Sequence, residues 1–391
     1  MQKTLENNKL TISLEGRIDS TNATEWDDQI NEAVDENPEA NIILDASKLE
    51  YISSAGLRIL MKLCKKSKNK MKVTDVSSEV YDIFEVTGFS ELINVEKAMR
   101  RVSKEGLEVI GKGATSEVYR LDKETVLKVF KPGTSMEIIR NENQRSKNAF
   151  LSGIPTAISY DIVKVGDCYG AVYELLDAKD FLTVIENDKE HLVDHIRKFA
   201  KAMREMHKIE VDPQKFPPTK AGSLYVLPRL EGICTKEEID KLRKLYETIP
   251  DRNTFIHGDC HTGNVMLQND ELVFIDLMTC GCGHPVFDLG SMCSVYHMPP
   301  KFGSREASPL TRNFTEEESK LMWDTYLRSY LDSDDEEFIR KVERQVTAIS
   351  SARTLFAALF MPGLIPASHL EFLKKTALAY VDEGLEPINW G

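Results

Sequence analysis

The chain has 391 residues and lacks any apolar run of about 18 residues, which a membrane-spanning helix would need. Its first ten residues, MQKTLENNKL, also lack the basic-then-apolar order of a secretory signal peptide. Cysteine is scarce: the seven cysteines are an odd number and are spread over a long chain, which is not typical of a disulfide framework. These absences predict a cytoplasmic protein that contacts no membrane.

The chain has few positive charges relative to negative ones. It contains 50 lysines and arginines and 63 aspartates and glutamates, which gives a net charge of −13. Nucleic acid binding depends on clustered Lys and Arg, so this balance argues against nucleic acid as a partner. It still allows a local basic site for a phosphorylated small molecule. At roughly 150 residues per domain, the length predicts two or three domains, large enough to bury cores without disulfides.

The first hundred residues alternate between strand-like and helix-like patterns. Residues 10–14 alternate apolar and polar side chains, as a half-buried strand does, and residues 41–44 form a short apolar run. Asn22 and Glu25 have the spacing of a capping box in front of an apolar helical stripe. We therefore predict a small α/β domain with a parallel sheet over residues 1–100.

A charged stretch at 101–107 is interpreted as a linker to a second domain over 108–391. Residues from about 108 to 178 carry β-type patterns, and residues from about 179 to 391 carry mostly helical stripes. A helix in the second part is predicted to begin with a Thr315 and Glu318 capping box. This order predicts a small β-rich lobe, a large helical lobe and a cleft between them.

The small lobe contains two segments suited to phosphate groups. Gly111 and Gly113 lie in a turn between two strand patterns, where a bare backbone lets amides approach phosphate oxygens. Lys128 lies in an apolar strand, and Glu142 lies in the helix that follows. Such a glutamate can pair with the lysine and direct its ammonium toward a nucleotide, although Glu137 is an alternative partner.

The large lobe contains the most specific pattern, His257-Gly-Asp259-x-x-x-x-Asn264, followed by Asp276 at the end of an apolar strand. Asp259 could accept or orient the proton of a substrate hydroxyl. The oxygens of Asn264 and Asp276 suit a divalent metal ion.

These segments resemble the aminoglycoside phosphotransferase/choline kinase family, which shares the two-lobed architecture of protein kinases. The resemblance implies that Asp259 is catalytic, that Asn264 and Asp276 bind Mg²⁺, and that Lys128 contacts ATP phosphates. It also implies a hinge at residues 172–176, where the backbone of Glu174 and Leu176 meets adenine. Asp288 matches an aspartate that we expect to brace the loop. Gly258 stands where protein kinases have arginine, which favours a small-molecule kinase.

The segment from Leu44 to Leu57 resembles the STAS domain, the fold of anti-sigma-factor antagonists. In that family a serine or threonine in the turn is phosphorylated to switch partner binding. Here only Ser53 and Ser54 are available as acceptors, and we expect them to cap the next helix instead. The resemblance implies a protein partner for this domain.

Two further features are interpreted as structural rather than functional. Cysteines and histidines at Cys260, His261, Cys280, Cys282 and His284 bracket the motif, but their spacing departs from common zinc sites and buried thiols are the favoured alternative. His207 is expected to be a packing residue with one bonded nitrogen.

The sequence thus predicts an ATP- and Mg²⁺-dependent phosphotransferase that acts on a hydroxyl of a small molecule, with amino-sugars or amino-alcohols as one class. Two alternatives remain open. The chain could sense a nucleotide or metabolite without turnover, or it could be a protein kinase that acts on the STAS serines.

Overall fold

The computed structural model describes residues 1–68, 70–113, 115–299, 310–360, 365–384 and 386–391. The chain divides into two compact units, Met1–Ser103 and Lys104–Gly391. Among the helices within those ranges, none is long and apolar enough to cross a membrane.

The first unit is a five-stranded sheet in the order β1-β2-β3-β4-β5, in which β1 is antiparallel and the other neighbours are parallel. Helices connect the parallel strands, as the alternating pattern predicts. The strands are β1 (Lys3–Glu6), β2 (Lys9–Ile18), β3 (Asn41–Ile52), β4 (Met71–Val76) and β5 (Asn94–Lys97). The helices are α1 (Ala23–Asp35), α2 (Ser54–Lys66) and α3 (Ser78–Val86).

The beginnings of α1 and α2 test two predictions. Ser53 caps α2, since its hydroxyl accepts the amides of Ala55 and Gly56, at 3.2 and 3.5 Å. The capping box predicted at Asn22 is wrong. The Asn22 carboxamide is turned back, and it accepts the Asp19 amide and donates to the Arg17 carbonyl.

The second unit opens with a five-stranded antiparallel sheet in the order β6-β7-β8-β10-β9. Its strands are β6 (Val109–Lys112), β7 (Ser116–Arg120), β8 (Thr125–Phe130), β9 (Ser159–Val165) and β10 (Cys168–Glu174). Helix α4 (Met136–Leu151) connects β8 to β9 and packs against both β9 and β10. Lys128 on β8 and Glu142 on α4 are therefore brought to the same region.

The remainder of the second unit is mainly helical and contains a large apolar core. Its helices are α5 (Phe181–Asn187), α6 (Leu192–Met206), α7 (Thr219–Val226), α8 (Lys236–Glu247), α9 (Val286–Met292), α10 (Glu316–Leu331), α11 (Glu336–Phe360) and α12 (Ala367–Asp382). Short strands form two small sheets: β11 (Lys179–Asp180), β13 (Val265–Gln268) and β14 (Glu271–Phe274) in one, and β12 (Phe255–Ile256) and β15 (Gly281–Cys282) in the other. The capping box predicted at Thr315 and Glu318 is confirmed at the start of α10.

Each unit has its own buried cluster, one within residues 10–93 and the other within residues 149–390. Because neither cluster draws residues from the other unit, we expect residues 1–103 and 104–391 to fold when produced separately. Calorimetry of each fragment should show a cooperative melting transition. Aggregation of the longer fragment without such a transition would mean that its stability depends on the first unit.

Candidate active site

A cavity of about 470 Å³ lies in the second unit and collects side chains from both its β-sheet and its helical part. Eight residues that the sequence singled out line it: Gly111, Gly113, Lys128, Glu142, Glu174, Leu176, Asn264 and Asp276. Asp259 is not among the lining residues, but the next turn of its loop, at Gly263 and Asn264, is.

Gly111 and Gly113 lie at the β6–β7 hairpin, where the Gly113 amide donates to the Ser116 carbonyl at 2.8 Å. Neither glycine has a positive φ. A Cβ at either position would make only ordinary van der Waals contacts, at 3.5 Å or more. The two glycines therefore contribute open space along the cavity wall, and neither is required for an unusual backbone conformation.

Lys128 is the charged centre of the cavity. Its Nζ lies 2.6 Å from Glu142 Oε1 and 3.0 Å from Asp276 Oδ1, and its side chain is only 11% exposed. Burial alone would lower the pKa of Lys128, but the carboxylates of Asp276 and Glu142 outweigh burial and raise it. The lysine is therefore a fixed cation at neutral pH.

Glu142 is bound on one oxygen only. Its Oε1 accepts from Lys128 and from the Tyr173 hydroxyl, at 2.6 and 3.3 Å. Its Oε2 is buried and has no hydrogen-bond partner among the residues the structure describes. Glu137, the alternative partner, is exposed.

The end of β10 is hydrogen-bonded to two neighbouring segments. The Glu174 carboxylate accepts the Ile158 amide at 3.1 Å, and the Glu174 amide donates to the Ile158 carbonyl at 2.9 Å. The Leu175 amide donates to the Glu124 carbonyl at 2.7 Å. The Leu176 amide lies beyond the strand, and within the described residues no backbone carbonyl accepts it.

Asp259 and Asn264 belong to the loop that follows β12. The Asn264 carboxamide nitrogen donates to the Asp259 carbonyl at 2.9 Å, so its oxygen is left for another ligand. The Asp259 carboxylate is 55% exposed, and its Oδ2 lies 3.9 Å from His261 Nε2. This carboxylate is accessible to an incoming substrate.

Asp276 follows β14 and has a left-handed backbone conformation, with φ of 62°. Aspartate adopts this conformation more readily than most residues. The turn is also tied to α4, because Arg145 Nη1 donates to the Met278 carbonyl at 2.6 Å. The Asp276 side chain is 44% exposed in its pair with Lys128.

Asp288 braces the loop that carries Asp259, as the sequence predicts. It is fully buried and accepts the His257 amide at 2.8 Å and the Gly258 amide at 2.7 Å. Its Oδ2 also lies 3.0 Å from His207 Nε2. The interpretation of His207 as a packing residue with one bonded nitrogen is wrong, because its Nδ1 lies 2.8 Å from the Tyr330 hydroxyl.

His257 and Gly258 fix the loop in two further ways. His257 Nε2 lies 3.0 Å from the Ile275 carbonyl, next to Asp276, so the two loops are linked. Gly258 has φ of +87°, and a Cβ there would lie 2.3 Å from the Thr279 carbonyl oxygen. No arginine can occupy this position without displacing the backbone.

The cysteines and histidines around the motif do not form a metal centre in the described part of the chain. Burial raises the pKa of Cys260, Cys280 and Cys282, whereas zinc requires thiolates. Both ring nitrogens of His284 are hydrogen-bonded. Nδ1 accepts from the Val286 amide, and Nε2 bonds to the Trp390 carbonyl.

Sequence reasoning missed three residues at the site: Tyr173, Arg145 and Arg353. Tyr173 bonds Glu142, Arg145 bonds the Asp276 turn, and Arg353 bonds the Gly258 carbonyl. Only Tyr173 carried a signal, because it lies inside the hinge-like segment. The two arginines reach partners 133 and 95 residues away, which no local spacing indicates.

Comparison with known proteins gives matches in both units. Residues 1–103 match the STAS domain profile, and residues 106–335 match that of the phosphotransferase enzyme family. A candidate anti-sigma factor antagonist of Bordetella bronchiseptica, BtrV, is 30% identical over 89 residues, which are 22% of this chain and 76% of that protein.

Similar solved structures include an ADP-bound aminoglycoside phosphotransferase, APH(2'')-Ib, with 16% identity and a TM-score of 0.46 over 77% of this chain and 98% of that one. Another is a choline/ethanolamine kinase family protein from Mesorhizobium loti, with 14% identity and a TM-score of 0.47 over 72% and 94%. The profile matches confirm the predicted α/β STAS domain followed by a protein-kinase-like domain. The chain belongs to the phosphotransferase enzyme family and carries an N-terminal STAS domain.

Proposed function

We propose that the protein transfers the γ-phosphate of ATP to a hydroxyl group of a small molecule. The new bond forms between the acceptor oxygen and the γ-phosphorus, the bond to the β-phosphate oxygen breaks, and ADP leaves. The hydroxyl proton passes to Asp259. The observation that carries this proposal is that Lys128, Glu142, Asn264 and Asp276 line one cavity, and that the loop of Asn264 also holds an exposed Asp259.

The cavity suits a nucleotide at both ends. We expect the Leu176 amide beyond β10 to donate to a purine base, and the Gly111–Gly113 wall to leave space for phosphates; all three residues line the cavity. Lys128 would offset phosphate charge, and Glu142 with Tyr173 would orient it. Because phosphoryl transfer demands little covalent chemistry of the protein, such positioning and charge neutralisation provide most of the catalysis.

The donor set fits Mg²⁺. Asn264 contributes a carboxamide oxygen that is not hydrogen-bonded to any of the described residues, and Asp276 contributes a half-exposed carboxylate on the same cavity. Hard oxygen ligands are those that Mg²⁺ prefers. When bound there, the ion would neutralise phosphate oxygens.

For the acceptor we propose amino-sugars and amino-alcohols as the first class to test, in view of the net charge of −13. The acidic run 332–337 could also favour a cationic acceptor, but it has local roles that do not require a substrate. Asp335 accepts the amides of Glu337 and Phe338 at the start of α11, and Arg204 and Arg328 pair with Asp332 and Glu336.

The STAS domain is proposed to bind a protein partner. Ser54 is exposed there, whereas the Ser53 hydroxyl is engaged as the cap of α2. Phosphate on Ser53 would disturb the amides at the start of that helix. Any covalent switch in this turn is therefore better placed on Ser54.

The proposed function is tested by incubating the full chain with Mg²⁺, γ-labelled ATP and pools of hydroxyl-bearing small molecules. Label should appear in the small-molecule fraction and should depend on the acceptor. Label confined to the protein at Ser53 or Ser54 would instead support the protein-kinase alternative. Nucleotide binding without any transfer would support the sensing alternative.

Asp259→Asn should lower kcat by about 10²- to 10⁴-fold, because the amide cannot take the acceptor proton. Affinity for Mg-ATP should stay within a few-fold, since Asp259 does not line the cavity. Steady-state kinetics and calorimetry measure the two quantities. A variant that turns over at the wild-type rate would remove Asp259 from the catalytic role.

Asp276→Asn should weaken Mg-ATP binding about tenfold or more, because the metal ion loses a charged ligand. Binding of ATP in the presence of a chelator should not weaken, since the change also releases Lys128. Calorimetry with and without Mg²⁺ separates these effects. Asp270→Asn, at an exposed acid on the β13–β14 turn, is the control and should change neither; equal affinities in the two variants would contradict the metal assignment.

Glu142→Gln should lower kcat/KM for ATP about ten- to a hundredfold, because the lysine loses its charged partner. Lys128→Met should be at least as harmful, and the double variant should be little worse than Lys128→Met alone. Glu137→Gln, at an exposed acid in the same helix, serves as the control and should retain activity. Strictly additive losses would show that the two residues act independently.

A further inference from the structure

Helix α11 reaches the loop of Asp259 through one side chain, Arg353. This residue lies outside residues 106–335, the part that matches the family profile. Its Nη1 donates to the Phe287 carbonyl at 2.9 Å and to the Ser291 hydroxyl at 2.8 Å, both on α9. Its Nη2 donates to the Gly258 carbonyl. One planar guanidinium thus connects α9 with the residue before Asp259.

The Gly258 residue is consequently held through both of its backbone groups. Its amide donates to Asp288 Oδ1 at 2.7 Å, and its carbonyl accepts from Arg353. Its φ of +87° lies in the region that glycine alone enters easily. Because glycine has no side chain to restrict its rotation, these two bonds determine how the peptide between Gly258 and Asp259 is oriented.

Asp259 has little other support. Its carboxylate is 55% exposed, and its amide donates to His257 Nδ1 over a long 3.3 Å. The Asn264 bond to its carbonyl fixes the chain after it. The direction of the Asp259 side chain therefore depends on the preceding peptide, whose carbonyl Arg353 holds.

Lysine could not replace this arginine. Guanidinium nitrogens point in fixed directions within one plane and can meet acceptors on two segments together. A lysine ammonium is a single point at the end of a flexible chain. A lysine therefore cannot reproduce the two fixed directions in which Nη1 meets α9 and Nη2 meets Gly258.

We propose that Arg353 is a positioning residue that orients the Gly258–Asp259 peptide, and with it the Asp259 carboxylate, for phosphoryl transfer. This inference rests on the proposed role of Asp259. It adds a contribution from α11, distant in sequence, to the geometry of the catalytic loop.

The test compares Arg353→Ala, Arg353→Lys and a control, Arg344→Met, which removes an exposed ion pair from the same helix. Arg353→Ala should lower kcat about ten- to a hundredfold, because misplacement of a reacting group by a fraction of an ångström has that order of effect. Mg-ATP affinity should stay within about twofold, since Arg353 does not line the cavity. Arg344→Met should retain kcat.

Two measurements separate positioning from general destabilisation. Methylguanidinium added to Arg353→Ala should restore part of kcat by occupying the vacated space. In an Asp259→Asn background, Arg353→Ala should cause almost no further loss, because the arginine acts through that carboxylate.

If Arg353→Ala does not fold, Arg353→Lys decides the matter, and a folded lysine variant with wild-type kcat overturns the proposal. The proposal is also overturned if Arg353→Ala lowers kcat in the Asp259→Asn background by the same factor as in the wild-type protein. If Asp259→Asn itself retains activity, the proposed function fails instead, and that result is obtained independently of Arg353.

Discussion

The loop that carries Asp259 depends on one buried negative charge, the carboxylate of Asp288. Burying a carboxylate is costly unless hydrogen bonds and opposite charge compensate it. Burial by itself would raise the pKa of Asp288, but its bonds from His207 and from the His257 amide lower it. The ionised carboxylate in turn fixes two consecutive amides, those of His257 and Gly258. The position of Asp259 and, through His257 and the Ile275 carbonyl, that of Asp276 follow from this interaction.

Three charged side chains in the cavity pair with one another. Lys128 shares its ammonium between Glu142 and Asp276, one buried and one half-exposed. Glu142 also accepts from the Tyr173 hydroxyl, so its bond to Lys128 is held more firmly than the bond between Asp276 and Lys128. In the proposed function Asp276 is the partner that is exchanged, because a metal ion and phosphate groups would together replace its contact with the lysine. The proposed function thus uses the same three side chains that pair with one another in the structure.

The local parts of this site could be predicted from sequence, and the long-range parts could not. The glycine turn, Lys128 and the 257–276 motif each lie within a short segment whose spacing reflects the chemistry. Arg353 and His207 contribute through contacts that tertiary packing creates, and no spacing in the sequence encodes them. The wrong cap at Asn22 has a different cause, which is local. The residue type and spacing suited a capping box, but nearby backbone groups of Asp19 and Arg17 offered its carboxamide better partners.

Gly258 explains how the loop that carries Asp259 can differ from the protein-kinase signature and keep a guanidinium nearby. The Thr279 carbonyl lies where any side chain at position 258 would begin, so the arginine of the protein-kinase signature has no room here. Arg353 brings its guanidinium to the same peptide from α11 instead. A cation that arrives from a separate helix ties the loop to the core of the helical part, because its other two bonds go to α9. The loop is therefore kept in place by packing within the second unit itself.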